Sequence, residues 1–124
     1  MAEKSRILVV DDEEPLRTIL SSELVNAGYD VETASDGDEA IAEVQNKKFD
    51  LVLLDIRMPR VDGFEVLKRA RADDVTKKTP IIVFSNLGQR EDIEKAKSLG
   101  ADDFLIKANF TLDDVVEKIN TTLK

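Results

Sequence analysis

The stretch Leu51-Val52-Leu53-Leu54-Asp55 places four consecutive aliphatic residues before a carboxylate. A short run with no polar alternate predicts a strand buried on both faces, the condition of a parallel sheet covered by helices. Three other runs have this form: Ile7-Leu8-Val9-Val10, Ile81-Ile82-Val83-Phe84 and Phe104-Leu105-Ile106. Tyr29 to Thr33 alternates instead, with Tyr29, Val31 and Thr33 against Asp30 and Glu32, as a half-exposed edge strand does. Between the strands, apolar residues recur at helical spacing: Leu16, Ile19, Leu20 and Leu24; Ala40, Ile41 and Val44; Phe64, Leu67 and Ala70; Ile93, Ala96 and Leu99; Leu112, Val115, Val116 and Ile119. The order is therefore (βα)5. Right-handed crossovers make this an open parallel α/β sheet, whose ligands bind beyond the carboxyl ends of the strands at the topological switch point.

Punctuation agrees with these boundaries. Pro15 suits a first helical turn, Gly28 and Gly100 suit the left-handed residue after a helix, and Thr111-Leu112-Asp113-Asp114 has the form of a capping box with Asp in place of Glu or Gln. With 124 residues, residues 1–124 read as one domain, ordered from about residue 5 to 123, with no room for a second.

The polar residues that close the strands are Asp11, Asp12, Asp55, Ser85 and Lys107. An isolated Asp-Asp pair after a strand is as readily a helix cap or turn, and a lone serine or lysine there is ordinarily a turn residue or a solvated charge. Together they differ in meaning. Carboxylates crowded to about 4 Å repel by about 4 kcal/mol per pair at an effective dielectric of 20, so the cluster implies a cation. Oxygen ligands at a site that also accepts phosphate oxygens favour Mg²⁺, with Ca²⁺ still open. Ser85 and Lys107 imply an incoming anion.

Composition narrows the chemistry. The absence of cysteine and histidine excludes thiolate nucleophiles, imidazole bases, the usual zinc sites and a self-supplied phosphohistidine, so a phosphodonor must come from outside. Net charge of −8 disfavours nucleic acid or anionic lipid as a direct partner. With no apolar run of membrane-spanning length and no signal peptide, the expectation is a cytoplasmic protein that contacts other proteins.

Residues 7–13 (ILVVDDE), 51–59 (LVLLDIRMP), Asp62-Gly63, 82–85 (IVFS) and 100–107 (GADDFLIK) together resemble the receiver domains of two-component response regulators, including stand-alone chemotaxis-type regulators, from Arg6 to Leu123. The resemblance implies a flavodoxin-like fold with strand order 2-1-3-4-5. It implies Asp55 as phosphoacceptor, Asp11 and Asp12 as metal-site acids, and the Arg57 carbonyl as a further Mg²⁺ ligand. Ser85 and Lys107 would contact the phosphoryl group, and Phe104 would act with Ser85 as a switch residue. The donor would be a histidine kinase or histidine phosphotransfer protein. The chain would catalyse only its own phosphorylation and dephosphorylation, without an output domain, and would signal to a protein target whose identity the sequence leaves open.

Two positions depart from the family pattern. Ala108 follows Lys107 where a cis-proline is usual, and a non-proline cis bond costs about 3–4 kcal/mol, which predicts a trans bond, a looser loop and a less fixed ammonium. Asn86 follows Ser85 where a smaller residue is usual; with Arg57 it could alter water access to a phosphoaspartate. Among alternatives, a metal-dependent phosphatase with Asp55 as nucleophile lacks a second acid two residues on, where Arg57 stands. A flavodoxin-like nucleotide carrier is opposed by the acidic run 11–14, and a degenerate docking platform by the complete acidic set.

Overall fold

The computed structural model describes residues 4–124. Strands β1 (Arg6–Val10), β2 (Asp30–Ala34), β3 (Leu51–Leu54), β4 (Ile81–Ser85) and β5 (Asp103–Ile106) alternate with helices α1 (Glu14–Asn26), α2 (Gly37–Asn46), α3 (Gly63–Ala72), α4 (Arg90–Ser98) and α5 (Leu112–Thr122). All strand pairs are parallel, in the order β2-β1-β3-β4-β5. This is the (βα)5 arrangement the apolar runs require.

Alternate side chains of each strand leave the sheet in opposite directions, and both directions are covered. Leu8, Val10, Val52, Leu54, Ile81 and Val83 pack with residues of α2, α3 and α4. Ile7, Val9, Leu51, Leu53, Ile82 and Phe84 pack with Leu20 and Leu24 of α1 and with Val115 and Ile119 of α5. Burying each such side chain contributes about 1.5–3 kcal/mol, so registers such as Ile7↔Leu51 and Val10↔Leu54 resist a slip that would exchange the layers.

The edge strand begins one residue later than the alternation predicts. Tyr29 precedes β2 and packs against the α1/α5 layer, whereas Thr33 faces solvent. The other boundaries follow their signals: Pro15 lies in the first turn of α1, Gly28 and Gly100 have φ of +101° and +106°, and Thr111 and Asp114 complete a reciprocal capping box at α5. The Lys107–Ala108 bond is trans, as expected, and Lys107–Asn109 forms a single 3-10 turn rather than an irregular loop.

From β1 the chain crosses to β2 on one side and later enters β3 on the other. The loops after β1 and β3 therefore part, and the crevice between them opens beside Asp11 and Asp55.

Candidate functional site

Asp11 follows β1, its N–H donating to the Ala34 carbonyl at 3.1 Å, and Asp55 follows β3, its N–H donating to the Val10 carbonyl at 3.0 Å. Adjacent strands thus seat both acids by main-chain bonds, and both are almost fully buried, at 2% and 3% exposure. Gly63 is glycine for a local reason: a Cβ there would lie 2.5 Å from the Asp55 carbonyl oxygen, so the start of α3 can approach the site only without a side chain. Asp12 stands exposed at the rim. One carboxylate oxygen from each of Asp11, Asp12 and Asp55 lies within 4.8 Å of the others.

Lys107 is the counter-charge. Its Nζ lies 2.8 Å from Asp11 Oδ2, 3.1 Å from Asp55 Oδ2 and 3.4 Å from Glu13 Oε1. The expectation of a loosely placed ammonium is therefore overturned: the carboxylates hold its tip where no proline fixes its backbone. Burial alone would favour a neutral amine, but the bonds to Asp11 and the charge of Asp55 outweigh it and hold the ammonium pKa well above 10.5. Asp11 moves the other way for a carboxylate, above 3.8, chiefly through burial; the neighbouring Asp55 charge adds to the rise, and Lys107 and the Glu13 N–H only partly offset it.

Further main-chain bonds orient the two acids. The Glu13 N–H donates to Asp11 Oδ1 at 2.9 Å, and the Arg57 N–H donates to Asp55 Oδ1 at 3.2 Å. Asp12, Glu13, Asp55, Arg57, Asn86 and Lys107 line a cleft of about 250 Å³. Ser85 ends β4 as expected, but its side chain is fully buried, its Oγ accepts from the Leu87 N–H at 3.4 Å, and Asn86 lines the cleft instead. Phe104 lies in β5 opposite Val83, half-buried against the α2/α3/α4 layer.

Three carboxylates meet one ammonium and Asp12 stands beside two of them, which leaves excess negative charge at the mouth of the cleft. Three clustered carboxylates with free oxygen lone pairs fit a hard, oxygen-seeking dication such as Mg²⁺. Glu13 is the cleft residue that the sequence reading passed over as a site residue. Its one signal was its place directly after the Asp11-Asp12 pair, at the turn into α1.

Residues 7–120 match the response regulator receiver domain. This chain belongs to that family. It is similar to the alkaline phosphatase synthesis transcriptional regulatory protein PhoP of Bacillus subtilis, 39% identical over 119 residues that make up 96% of this chain and 48% of that protein. Among solved structures, the chemotaxis response regulator CheY4 of Vibrio cholerae superposes with a TM-score of 0.90 at 35% identity, covering 98% of this chain and 100% of that one. The receiver domain of sensor histidine kinase PA1611 from Pseudomonas aeruginosa, described with a magnesium ion coordinated in its active-site cleft, gives a TM-score of 0.88 at 26% identity, with 98% of each chain covered. The chain spans about half the length of PhoP and 15% of a similar gliding motility regulatory protein of Myxococcus xanthus.

Receiver domains are the phosphoaccepting signalling modules of two-component systems rather than classical enzymes, and the acidic pocket of this one fits Mg²⁺. Among the described residues, no helix is long and apolar enough to cross a membrane.

Proposed function

We propose that Asp55 is the phosphoacceptor of this receiver domain and takes its phosphoryl group from a histidine kinase or histidine phosphotransfer protein. The observation that carries this reading is the position of Asp55: a buried carboxylate beside a cleft, with one oxygen 3.1 Å from the Lys107 ammonium and the other on the Arg57 N–H. A carboxylate oxygen of Asp55 attacks phosphorus, a P–O bond forms, the P–N bond to the donor imidazole breaks, and its electron pair stays with the ring nitrogen. Because such transfer asks mainly for alignment and charge compensation, few protein groups are needed. Asp11 and Asp12 with Asp55 and the Arg57 carbonyl are the residues that would hold Mg²⁺. Bound there, it supplies positive charge against the acids and the phosphoryl oxygens.

Lys107 stays cationic throughout the physiological range and faces the added anion. Ser85 donates its hydroxyl to a phosphoryl oxygen, and Phe104 follows inward, changing the face made by α4, β5 and α5. Loss of the phosphoryl group to water returns Asp55 and phosphate, so the chain turns over only its own modification. The place of action is the cytoplasm, and the target is a protein, in keeping with the net charge of −8.

The test is incubation with acetyl phosphate and Mg²⁺, followed by intact mass. A gain of one phosphoryl group is expected, absent in excess chelator and in Asp55→Asn. Labelling that survives either condition would place the acceptor elsewhere, and steady turnover of simple phosphoesters without labelling would favour the phosphatase reading.

A further inference from the structure

We propose that Glu13 is a placeholder for the phosphoryl group: its carboxylate occupies a donor of the Lys107 ammonium in the resting domain and yields it when an anion arrives on Asp55. This rests on the phosphoacceptor role of Asp55. The Lys107 ammonium donates to Asp55 and Glu13 and stands in ion-pair contact with Asp11, so in the resting state three carboxylates compete for the charge that an incoming anion would use. The three partners are unequal. Asp11 and Asp55 are almost fully buried and lie at 2.8 and 3.1 Å, whereas Glu13 lies at 3.4 Å with its side chain 56% exposed. Water compensates a departing Glu13 carboxylate readily, but could not reach Asp11 in the same way.

The placeholder also accounts for how Lys107 stays poised in this chain. No proline constrains the residue after it, and the ammonium is positioned from its tip by acceptors on the turn after β1 and at the end of β3. Glu13 is suited to this by its main chain. It is the residue before α1, its N–H is engaged by Asp11, and its side chain makes no cap bond, so the carboxylate can leave without loosening the helix. Glu13 is thus a positioning residue that competes with the incoming anion.

The experiment measures the affinity of the whole chain for beryllofluoride, an anion that caps a carboxylate oxygen as a phosphoryl group does, by titration at saturating Mg²⁺ with amide chemical shifts as readout. Glu13→Gln removes the competing charge and keeps the length of the side chain. It is expected to bind about two- to fivefold tighter than wild type, the range set by loss of a half-exposed ion-pair competitor. Glu14→Gln removes an equal charge one residue away, from a side chain with no contact to Lys107 among the described residues, and is expected to match wild type. Glu13→Asp keeps the charge but shortens the reach, and is expected to follow Glu13→Gln. Equal tightening in Glu13→Gln and Glu14→Gln would reduce the effect to bulk charge and overturn the proposal, as would Glu13→Gln binding no tighter than wild type. Wild type that fails to bind beryllofluoride at all, with the fold intact by its amide spectrum, would instead overturn the phosphoacceptor reading on which this one stands.

Discussion

Two partly buried cations work at opposite ends of the sheet and do different things. Arg71, near the end of α3, donates to the Gly100 carbonyl through Nε (3.0 Å) and Nη2 (2.8 Å), to the Thr76 and Thr79 carbonyls through Nη1 (2.9 and 2.8 Å), and to Asp102 Oδ2 at 3.0 Å. Four of these five bonds end on backbone oxygens, which cannot leave. Gly100 tightens the joint further, since a Cβ there would lie 2.7 Å from Arg71 Cγ, at a φ that disfavours side chains in any case. Lys107, beyond β5, contacts only side-chain carboxylates, those of Asp11, Glu13 and Asp55. A planar fork locked to main chain makes a structural joint, whereas a point charge among side-chain anions makes an exchangeable site.

The largest expected effect breaks the joint. Arg71→Ala, which leaves three carbonyls to find new partners, is expected to lower unfolding free energy by about 3 kcal/mol in urea titrations, equally with and without Mg²⁺. Arg71→Lys should recover less than half, because an ammonium cannot span acceptors on two loops. Full recovery would mean that charge, rather than the fork, holds the loops.

Next in size is the site itself. Lys107→Met leaves Asp11 and Asp55 facing each other in a buried setting and is expected to cost about 2 kcal/mol in chelator, with most of it restored by Mg²⁺. A deficit indifferent to Mg²⁺ would erase the contrast with Arg71. The pH dependence sharpens the same point. The folded-state pKa of Lys107 lies above its unfolded value of 10.5, so its stabilisation is complete below that pH and declines as pH rises beyond it. Wild type should therefore lose stability relative to Lys107→Met from about pH 10.5 upward, at no more than about 1.4 kcal/mol per pH unit. Parallel curves for the two proteins would show that the ammonium is not held as described.

The smallest effect is a control at a third cation. Arg69 pairs with Glu65 at 2.9 Å on the outer face of α3, with its side chain 56% exposed, and Arg69→Ala should change stability by less than about 0.5 kcal/mol. A larger loss would mean that exposure does not separate this cation from the two partly buried ones.

The sequence by itself determined the strands and the site acids. A parallel strand covered on both faces has to be apolar at every position, so Leu51 to Leu54 and its counterparts announce themselves, and a charge that ends such a run can only emerge at a sheet end. The order 2-1-3-4-5 came from resemblance to a family, because local pattern carries no record of which strand lies beside which. Tertiary structure alone decided the partners. Glu13 meets Lys107 across 94 residues and Arg71 meets Gly100 across 29, separations at which no spacing rule operates. It also decided that Lys107 is held at its tip although Ala108 replaces proline, and that Ser85 turns inward while Asn86 lines the cleft. The physical reason is common to all of these. Periodicity reports which face a residue shows to the sheet, whereas the position of a charged group depends on the sum of burial and opposite charge that only the assembled loops supply.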